Sequence, residues 1–224
     1  GVLLVGGIGL AVIFSGWLFP GGGSELNLAY RLTPPLVEPG FPLGTDPLGR
    51  DVLARVIIGG EISLKVGVYS ALGAVVIGII MGLVSGYYGG FLDMIVMRFA
   101  DVQLALPFIL LAITFIAVIG GGLTNMIILL IISQWVQYAR LVRGSVLSLR
   151  DREFILAAKA IGVKDIRILF QHLLPNLIGP VIVLMTLNVA NNILLESSLT
   201  FLGLGVDPVI PSWGGMLAEG RTYL

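Results

Sequence analysis

The chain has 224 residues, of which 57% are hydrophobic and 12% charged, and its mean hydropathy is +1.02. A soluble domain carries about a quarter charged residues, so this composition predicts a protein whose main solvent is lipid. Thirteen Lys and Arg balance thirteen Asp and Glu, which gives no reason to expect a nucleic-acid partner. The chain has no cysteine and a single histidine, His172, which excludes disulfides, thiol catalysis and a Cys/His metal cluster.

Long charge-free runs predict membrane-spanning helices, because about 20 apolar residues cross a bilayer. The run 102–139 is too long for one crossing, and the glycines at 120–122 favour a turn in its middle. The first run is long and lacks the basic segment of a signal peptide, which favours a membrane span. The sequence therefore predicts an all-α bundle with five spans, at about 1–20, 63–86, 102–119, 124–143 and 176–196.

Basic residues indicate the orientation of these spans. Between Arg140 and Arg167 seven Lys and Arg face three Asp and Glu, and the positive-inside rule places that stretch in the cytoplasm. Counting outward from it predicts a cytoplasmic loop at 144–175, an external loop at 21–61 and an amino end inside. Five prolines between Leu32 and Arg55 predict that the external loop is structured.

Two features of the predicted spans indicate packing contacts. Every fourth residue of the second span is small, which lets another helix approach closely, either within this subunit or from a partner. This small-residue face consists of Ser70, Ala74, Gly78, Gly82 and Gly86. Arg98 and Asp101 lie three residues apart on a predicted amphipathic helix, and this spacing favours an ion pair over a proton relay.

The last predicted span carries four polar residues at helical offsets of 3, 4 and 8: Asn188, Asn191, Asn192 and Glu196. Polar side chains in hydrocarbon must face protein or a watery cavity. This side of the helix is therefore a candidate translocation route, and hydrogen bonding that only holds the bundle together is the equally supported alternative. Ser133 and Gln134 of the preceding span are weaker candidates of the same kind.

The cytoplasmic loop predicts two short helices outside the membrane. Residues 153–161 are good helix formers, Gly162 is the expected left-handed stop, and a second helix over 165–172 is predicted to end before Pro175. Such a helix pair is suited to dock in a groove of a soluble partner, and packing against the membrane face is the alternative. No G-x-x-x-x-G-K-[ST] pattern occurs, so the chain is not expected to bind ATP by itself.

Within this loop, Ala157-Ala158-x3-Gly162-x11-Leu174-Pro175 resembles the Glu-Ala-Ala loop of the membrane subunits of ABC importers. Leu156 and His172 depart from the usual Glu and Ile, as in the dipeptide/oligopeptide branch, where the acidic residue lies one turn earlier, at the position of Glu153. The segments 43–53, 86–93, 196–205 and 211–214 are also similar to the C-type permease subunits of that branch.

The resemblance implies a polytopic helical bundle of the type I ABC importer permease kind, multi-pass in a bacterial or archaeal cytoplasmic (inner) membrane. Six spans are expected in the complete subunit, the sixth after Leu224. The implied ATPase-coupling residues are Glu153, Ala157, Ala158, Gly162, His172 and Pro175.

The implied partners are a homologous second permease subunit forming a heterodimer, cytoplasmic ATP-binding subunits, an external substrate-binding protein and membrane lipid. The implied solute is a peptide or a similar small molecule. No catalytic residue, metal or cofactor is expected in this chain, since ATP hydrolysis is expected in the partner subunits. A secondary transporter and a passive channel are the alternatives, although the spans offer few charges, no visible repeat and no legible selectivity constriction.

Overall fold

The computed structural model describes residues 1–21, 23–205, 207 and 210–223. Within these residues the regular structure is helical, apart from one isolated antiparallel bridge between Thr45 and Asp51. The helices are α1 (Val2–Ile13), α2 (Ser15–Leu18), α3 (Val52–Tyr88), α4 (Gly90–Ala105), α5 (Phe108–Ile119), α6 (Leu123–Leu149), α7 (Glu153–Ala160), α8 (Asp165–Phe201) and α9 (Trp213–Gly220), with short 3-10 turns at Leu28–Tyr30 and Arg221–Tyr223.

Three of the described helices are long and apolar enough to cross a bilayer. They are α3 with 37 residues, α6 with 27 and α8 with 37, and an 18-residue stretch of each has a mean hydropathy of 2.2, 1.3 and 1.8 respectively. Helices α4 and α5 pass the same test only together, and they are bent by 94° at the break between them. Helix α1 has 12 residues, about 18 Å at 1.5 Å per residue, so the count of five spans stays a prediction.

The predicted span 102–119 is divided in the structure. Helix α4 ends at Ala105 and α5 begins at Phe108, because Pro107 disfavours the helical conformation in the residue before it. Leu106 is accordingly extended, with φ −86° and ψ 126°. The break between α5 and α6 lies at the glycines that predicted it, where Gly120 has a φ of 96°.

The prediction of a helix that ends before Pro175 is wrong, because α8 runs through this residue to the end of the last predicted span. Pro175 has no N–H to donate to the carbonyl of Gln171. The turn just before it, Ile168–Leu173, is π-helical. Each N–H of a π-helical turn bonds to the carbonyl five residues earlier instead of four, so the hydrogen-bond pattern shifts where Pro175 cannot donate. Most of the predicted loop 144–175 is therefore helical, with α7 between the ends of α6 and α8.

The chain divides into two compact units. Unit one comprises Gly1–Val66, Gly121–Met126 and Ile193–Leu224, and unit two comprises Gly67–Gly120 and Ile127–Asn192. Helices α3, α6 and α8 contribute residues to both.

In unit two, α3 packs directly on α6 along the small-residue face. A Cβ atom added at Gly82 would lie 2.6 Å from the carbonyl oxygen of Ala139 and 2.6 Å from Cβ of Val142, and one at Gly86 would lie 2.9 Å from Cβ of Val146. Such distances leave no room for a side chain. Of the two roles considered for the small-residue face, packing within this subunit is therefore the one that the structure supports at these positions.

In unit one, charged side chains join the segment before α3 and the start of α3 to α9. Arg50 Nε donates to Asp46 Oδ2 at 2.5 Å, and Arg55 donates to both Asp46 and Glu219, the latter at 2.7 Å. Burial alone would raise the pKa of Asp46, but hydrogen bonds from the backbone and side chain of Arg50 and the backbone of Leu48 outweigh it and lower the pKa below its ordinary value of 3.8.

Candidate functional site

The loop that the sequence predicts to be cytoplasmic forms a compact helix–turn–helix within unit two. Gly162 ends α7 with a φ of 78°, the left-handed conformation that its position predicted. Its N–H donates to the carbonyl of Lys159, and the N–H of Val163 donates to that of Ala158, both at 3.0 Å. A Cβ atom at Gly162 would meet no other atom within 4 Å, so a substitution there strains the backbone without causing a clash.

One side of this loop is anchored in the core of unit two, and the other is open. Ile155 and Ala158 of α7 and Ile168 of α8 are buried in that core. The loop also carries large apolar side chains that are exposed, of which Ile161 is 81% exposed. The name exposed loop face is used below for these exposed side chains together: Phe154, Leu156, Ile161, Ile166 and Phe170. Exposed apolar side chains in such number favour an interaction site.

The six predicted coupling residues are divided between these environments. Three are exposed beside the exposed loop face: Glu153, Ala157 and Gly162. Ala158 instead packs in the core, His172 is half-buried in the π-helical turn of α8, and Pro175 is exposed further along α8. The structure therefore leaves Glu153, Ala157 and Gly162 accessible, buries Ala158 between them, and places His172 and Pro175 further along the chain in α8.

Charges at the two ends of α7 follow the helix dipole. Glu153 lies in the first turn, where a negative side chain is favoured, and Lys159 lies in the last turn, where a positive one is favoured. The side chain of Glu153 is exposed to solvent and forms no ion pair within the described residues. It is therefore open to a cationic group on another protein.

Tyr87 is a site residue that sequence reasoning missed. Its hydroxyl donates to Asp165 Oδ1 at 2.7 Å, and Lys159 Nζ lies 4.8 Å from the centroid of its ring. Tyr87 is 8% exposed, whereas Tyr88 is 50% exposed. The only signal in the sequence is the segment 86–90, Gly-Tyr-Tyr-Gly-Gly, in which nothing distinguishes the two tyrosines.

The predicted ion pair between Arg98 and Asp101 is wrong. Asp101 accepts a hydrogen bond from Arg140 Nη2 at 2.6 Å, and Asp93 pairs with Arg143 in a two-bond arrangement. Both contacts join α4 to α6 within unit two. A spacing of three residues permits a pair along one helix, but the guanidinium groups of the facing helix occupy the carboxylates here.

The four polar residues of α8 do not share one environment. Asn188 and Asn192 are buried in unit two, where Asn188 Nδ2 donates to Gln137 Oε1 at 3.3 Å and Asn192 Nδ2 donates to the carbonyl of Gly67 at 3.2 Å. Gln134 also donates to Asn192. Asn191 is exposed. The two buried amides therefore hold α8 to α3 and α6, as the packing alternative predicted.

In unit one, Glu196 is fully buried among hydroxyl groups. Ser63 Oγ donates to its Oε2 and Thr200 Oγ1 to its Oε1, both at 2.9 Å. Ser63 belongs to α3, so this carboxyl group also joins two helices. Of the weaker candidates, Ser133 bonds only to the carbonyl of Leu130 in its own helix.

Long apolar helices joined by a short helical loop define a polytopic membrane protein, and the described residues contain no group of three His, Asp or Glu that could hold a metal ion. The comparisons give the family. The sequence model of the binding-protein-dependent transport system inner membrane components matches residues 74–224, and the chain belongs to this family.

Curated relatives that cover the whole chain include two peptide permeases. The dipeptide transport system permease protein DppC of Alkalihalophilus pseudofirmus is 42% identical over 224 residues, which are 73% of its length. The oligopeptide transport system permease protein OppC of Bacillus subtilis is 40% identical, also over 73% of its length. Among solved structures, the MetNI methionine ABC transporter in inward-facing conformations matches with a TM-score of 0.60 and 19% identity, over 74% of this chain and 79% of that one.

These comparisons confirm the prediction of a membrane permease subunit of an ABC importer, similar to the peptide permeases. The MetNI likeness, at its low identity, supports the helical permease fold alone. The chain is thus a transport subunit and a multi-pass membrane protein.

Proposed function

We propose that this chain forms part of the route by which an ATP-driven importer moves peptides or similar small solutes across the cytoplasmic (inner) membrane. A homologous permease subunit completes the route, an external substrate-binding protein delivers the solute, and cytoplasmic ATP-binding subunits hydrolyse ATP. The names of the two peptide-permease relatives support the choice of solute.

The loop 153–175 is the contact with an ATP-binding subunit. The observation that carries this proposal is the exposed loop face, since large apolar side chains remain exposed on a loop whose basic residues favour a cytoplasmic location. The opposite side of α7 is packed in the core, so a force applied to the loop acts on the transmembrane helices. The matching groove is expected to be apolar, with a basic residue near Glu153.

Within the bundle, Asn191 is the proposed route residue. An exposed amide on an apolar helix must face another subunit or a watery cavity, whereas Asn188, Asn192 and Glu196 are occupied by bonds inside this chain. Asn191→Leu is expected to reduce uptake while the complex still assembles, and Asn192→Leu to reduce assembly. Equal loss of assembly in both variants would contradict this division.

The coupling proposal is tested with Gly162→Val and Glu153→Lys. A β-branched residue at the left-handed position costs about 1–2 kcal/mol, and the charge reversal opposes both the helix dipole and a basic partner group. Glu38→Lys, in the external segment, makes the same change of net charge and serves as the control.

The measurement uses the purified complex in liposomes and compares subunit ratio, ATP hydrolysis and uptake. Both loop variants are expected to lose ATP-binding subunits, or to hydrolyse ATP without transport, while the subunit ratio and hydrolysis of Glu38→Lys remain at the parent level. Normal values of all three quantities in both loop variants would remove the coupling role from this loop.

A further inference from the structure

We propose that Tyr87 is the positioning residue through which movement of the cytoplasmic loop reaches α3. The proposal rests on the proposed contact between loop 153–175 and an ATP-binding subunit, and it identifies the transmembrane helix that receives the movement.

Tyr87 touches both sides of the turn at Gly162. Its hydroxyl donates to Asp165, the first residue of α8, at 2.7 Å, and the ammonium group of Lys159, in the last turn of α7, lies 4.8 Å from its ring centroid. A hydrogen bond to a carboxylate and a cation over an aromatic face are both directional. A shift of the turn therefore either moves Tyr87 with it or breaks both contacts.

The position of Tyr87 in α3 suits it to pass on such a shift. It is the second-to-last residue of the helix, and its ring belongs to the same buried core as Ile155 of α7 and Val146 of α6. Arg150, just after α6, adds a hydrogen bond from Nη1 to the carbonyl of Gly86 at 3.1 Å. The end of α3 is thus held to the loop through Tyr87 and to the end of α6 through Gly86.

Next to this end, α3 lies in close contact with α6. The small-residue face brings the two helices so close that added Cβ atoms at Gly82 and Gly86 would overlap α6. Close-packed interiors transmit displacement because they contain no space that absorbs it. A movement received by Tyr87 therefore shifts α3 and α6 together.

The next residue provides a matched control. Tyr88 is half exposed, and its ring lies edge-on to that of Tyr87 at a centroid distance of 5.2 Å. A Tyr→Phe change at either position removes one hydroxyl and leaves the ring, but only at Tyr87 does it remove a bond to the loop.

The experiment compares Tyr87→Phe, Asp165→Ala, the double variant and Tyr88→Phe in the complete complex reconstituted in liposomes. Subunit ratio, ATP hydrolysis and solute imported per ATP are measured together. Tyr87→Phe is expected to keep the subunit ratio and hydrolysis. Both single variants are expected to lower the solute imported per ATP by about tenfold, as for loss of one hydrogen bond to a charged group. The double variant is expected to be no worse than the poorer single variant, and Tyr88→Phe to equal the parent.

Three results would overturn the proposal. The first is an unchanged ratio of solute to ATP in Tyr87→Phe. The second is a double variant in which the two losses multiply, since the residues would then act separately. The third is a loss of subunit ratio in Tyr87→Phe as large as the loss of uptake, which would make its role only structural. If Gly162→Val and Glu153→Lys impair coupling and Tyr87→Phe does not, this inference alone fails and the proposed function stands.

Discussion

Gly82→Ala tests whether the small-residue face is filled by α6 of the same chain. In a helix exposed to solvent this change stabilises by about 1 kcal/mol, because alanine is the better helix former. Here the new methyl group would lie 2.6 Å from the carbonyl oxygen of Ala139 and from Cβ of Val142. A backbone oxygen cannot turn aside as a flexible side chain can, so the helices must separate, and overpacking costs about 1–3 kcal/mol.

Gly144→Ala is the matched control. Gly144 lies in α6, has no positive φ, and a Cβ atom there would meet nothing within 4 Å. The helix-propensity gain is shared by both variants, so the difference between them isolates the clash, about 1–3 kcal/mol. At about 2–4 °C per kcal/mol for a chain of this length, Gly82→Ala is expected to unfold several degrees below Gly144→Ala.

Thermal unfolding of the two variants in the same detergent, followed by size-exclusion chromatography, provides the measurement. Gly78→Ala gives a second test, because its Cβ atom would approach the carbonyl oxygen of Trp135 to 2.8 Å. Unfolding of Gly82→Ala at or above the temperature of Gly144→Ala would refute the close packing of α3 on α6.

Three further predictions follow from the two units and the orientation. Glu196→Leu is expected to lower the free energy of unfolding by about 1–3 kcal/mol, since it leaves buried hydroxyl donors unpaired, and Glu196→Gln is expected to lower it less. Thermal unfolding of both variants measures this, and equal losses of stability would contradict it. Because the pKa of Asp46 is lowered, its carboxylate stabilises the folded chain above pH 3.8, and this stabilisation is lost as the pH falls through the lowered pKa. Between about pH 5 and pH 2 the unfolding temperature is therefore expected to fall less in Asp46→Asn than in the parent. Parallel curves of unfolding temperature against pH would contradict this. The chain has no cysteine, so Gly40→Cys should react with an impermeant maleimide from outside and Lys164→Cys only after permeabilisation; labelling of both from one side would overturn the orientation.

The features that the sequence predicted correctly are those set by local chemistry. Hydrophobic composition and long charge-free runs require helices in lipid, because backbone groups there must be satisfied within the segment. The turn at Gly162 and the break at Gly120–Gly122 follow from the positive φ that glycine alone adopts at low cost. In each case the deciding interaction lies within a few residues along the chain.

The errors come from interactions between distant residues or from competing local rules. Pro107 and Pro175 carry the same side chain, yet the helix breaks at the first and continues through the second, where a π-helical turn takes up the missing bond. The partner of Asp101 is Arg140 on another helix, and nothing in the spacing along α4 indicates it. Tyr87 and Tyr88 are adjacent and chemically identical, and only the packing of α3 decides which one meets Asp165.

The polar residues of α8 show how far helical arithmetic alone reaches. At 3.6 residues per turn each residue rotates by about 100°, so Asn192 lies about 40° and Glu196 about 80° from Asn188, whereas Asn191 lies about 60° away in the opposite direction. The four residues thus span about 140°, which is too wide for a single contact with one neighbouring helix. The three within 80° all bond inside the chain, and the one beyond them is exposed. The angular position of each residue on α8 therefore separates Asn191 from the three residues that bond inside the chain. A change at Asn191 is accordingly expected to alter uptake without altering assembly.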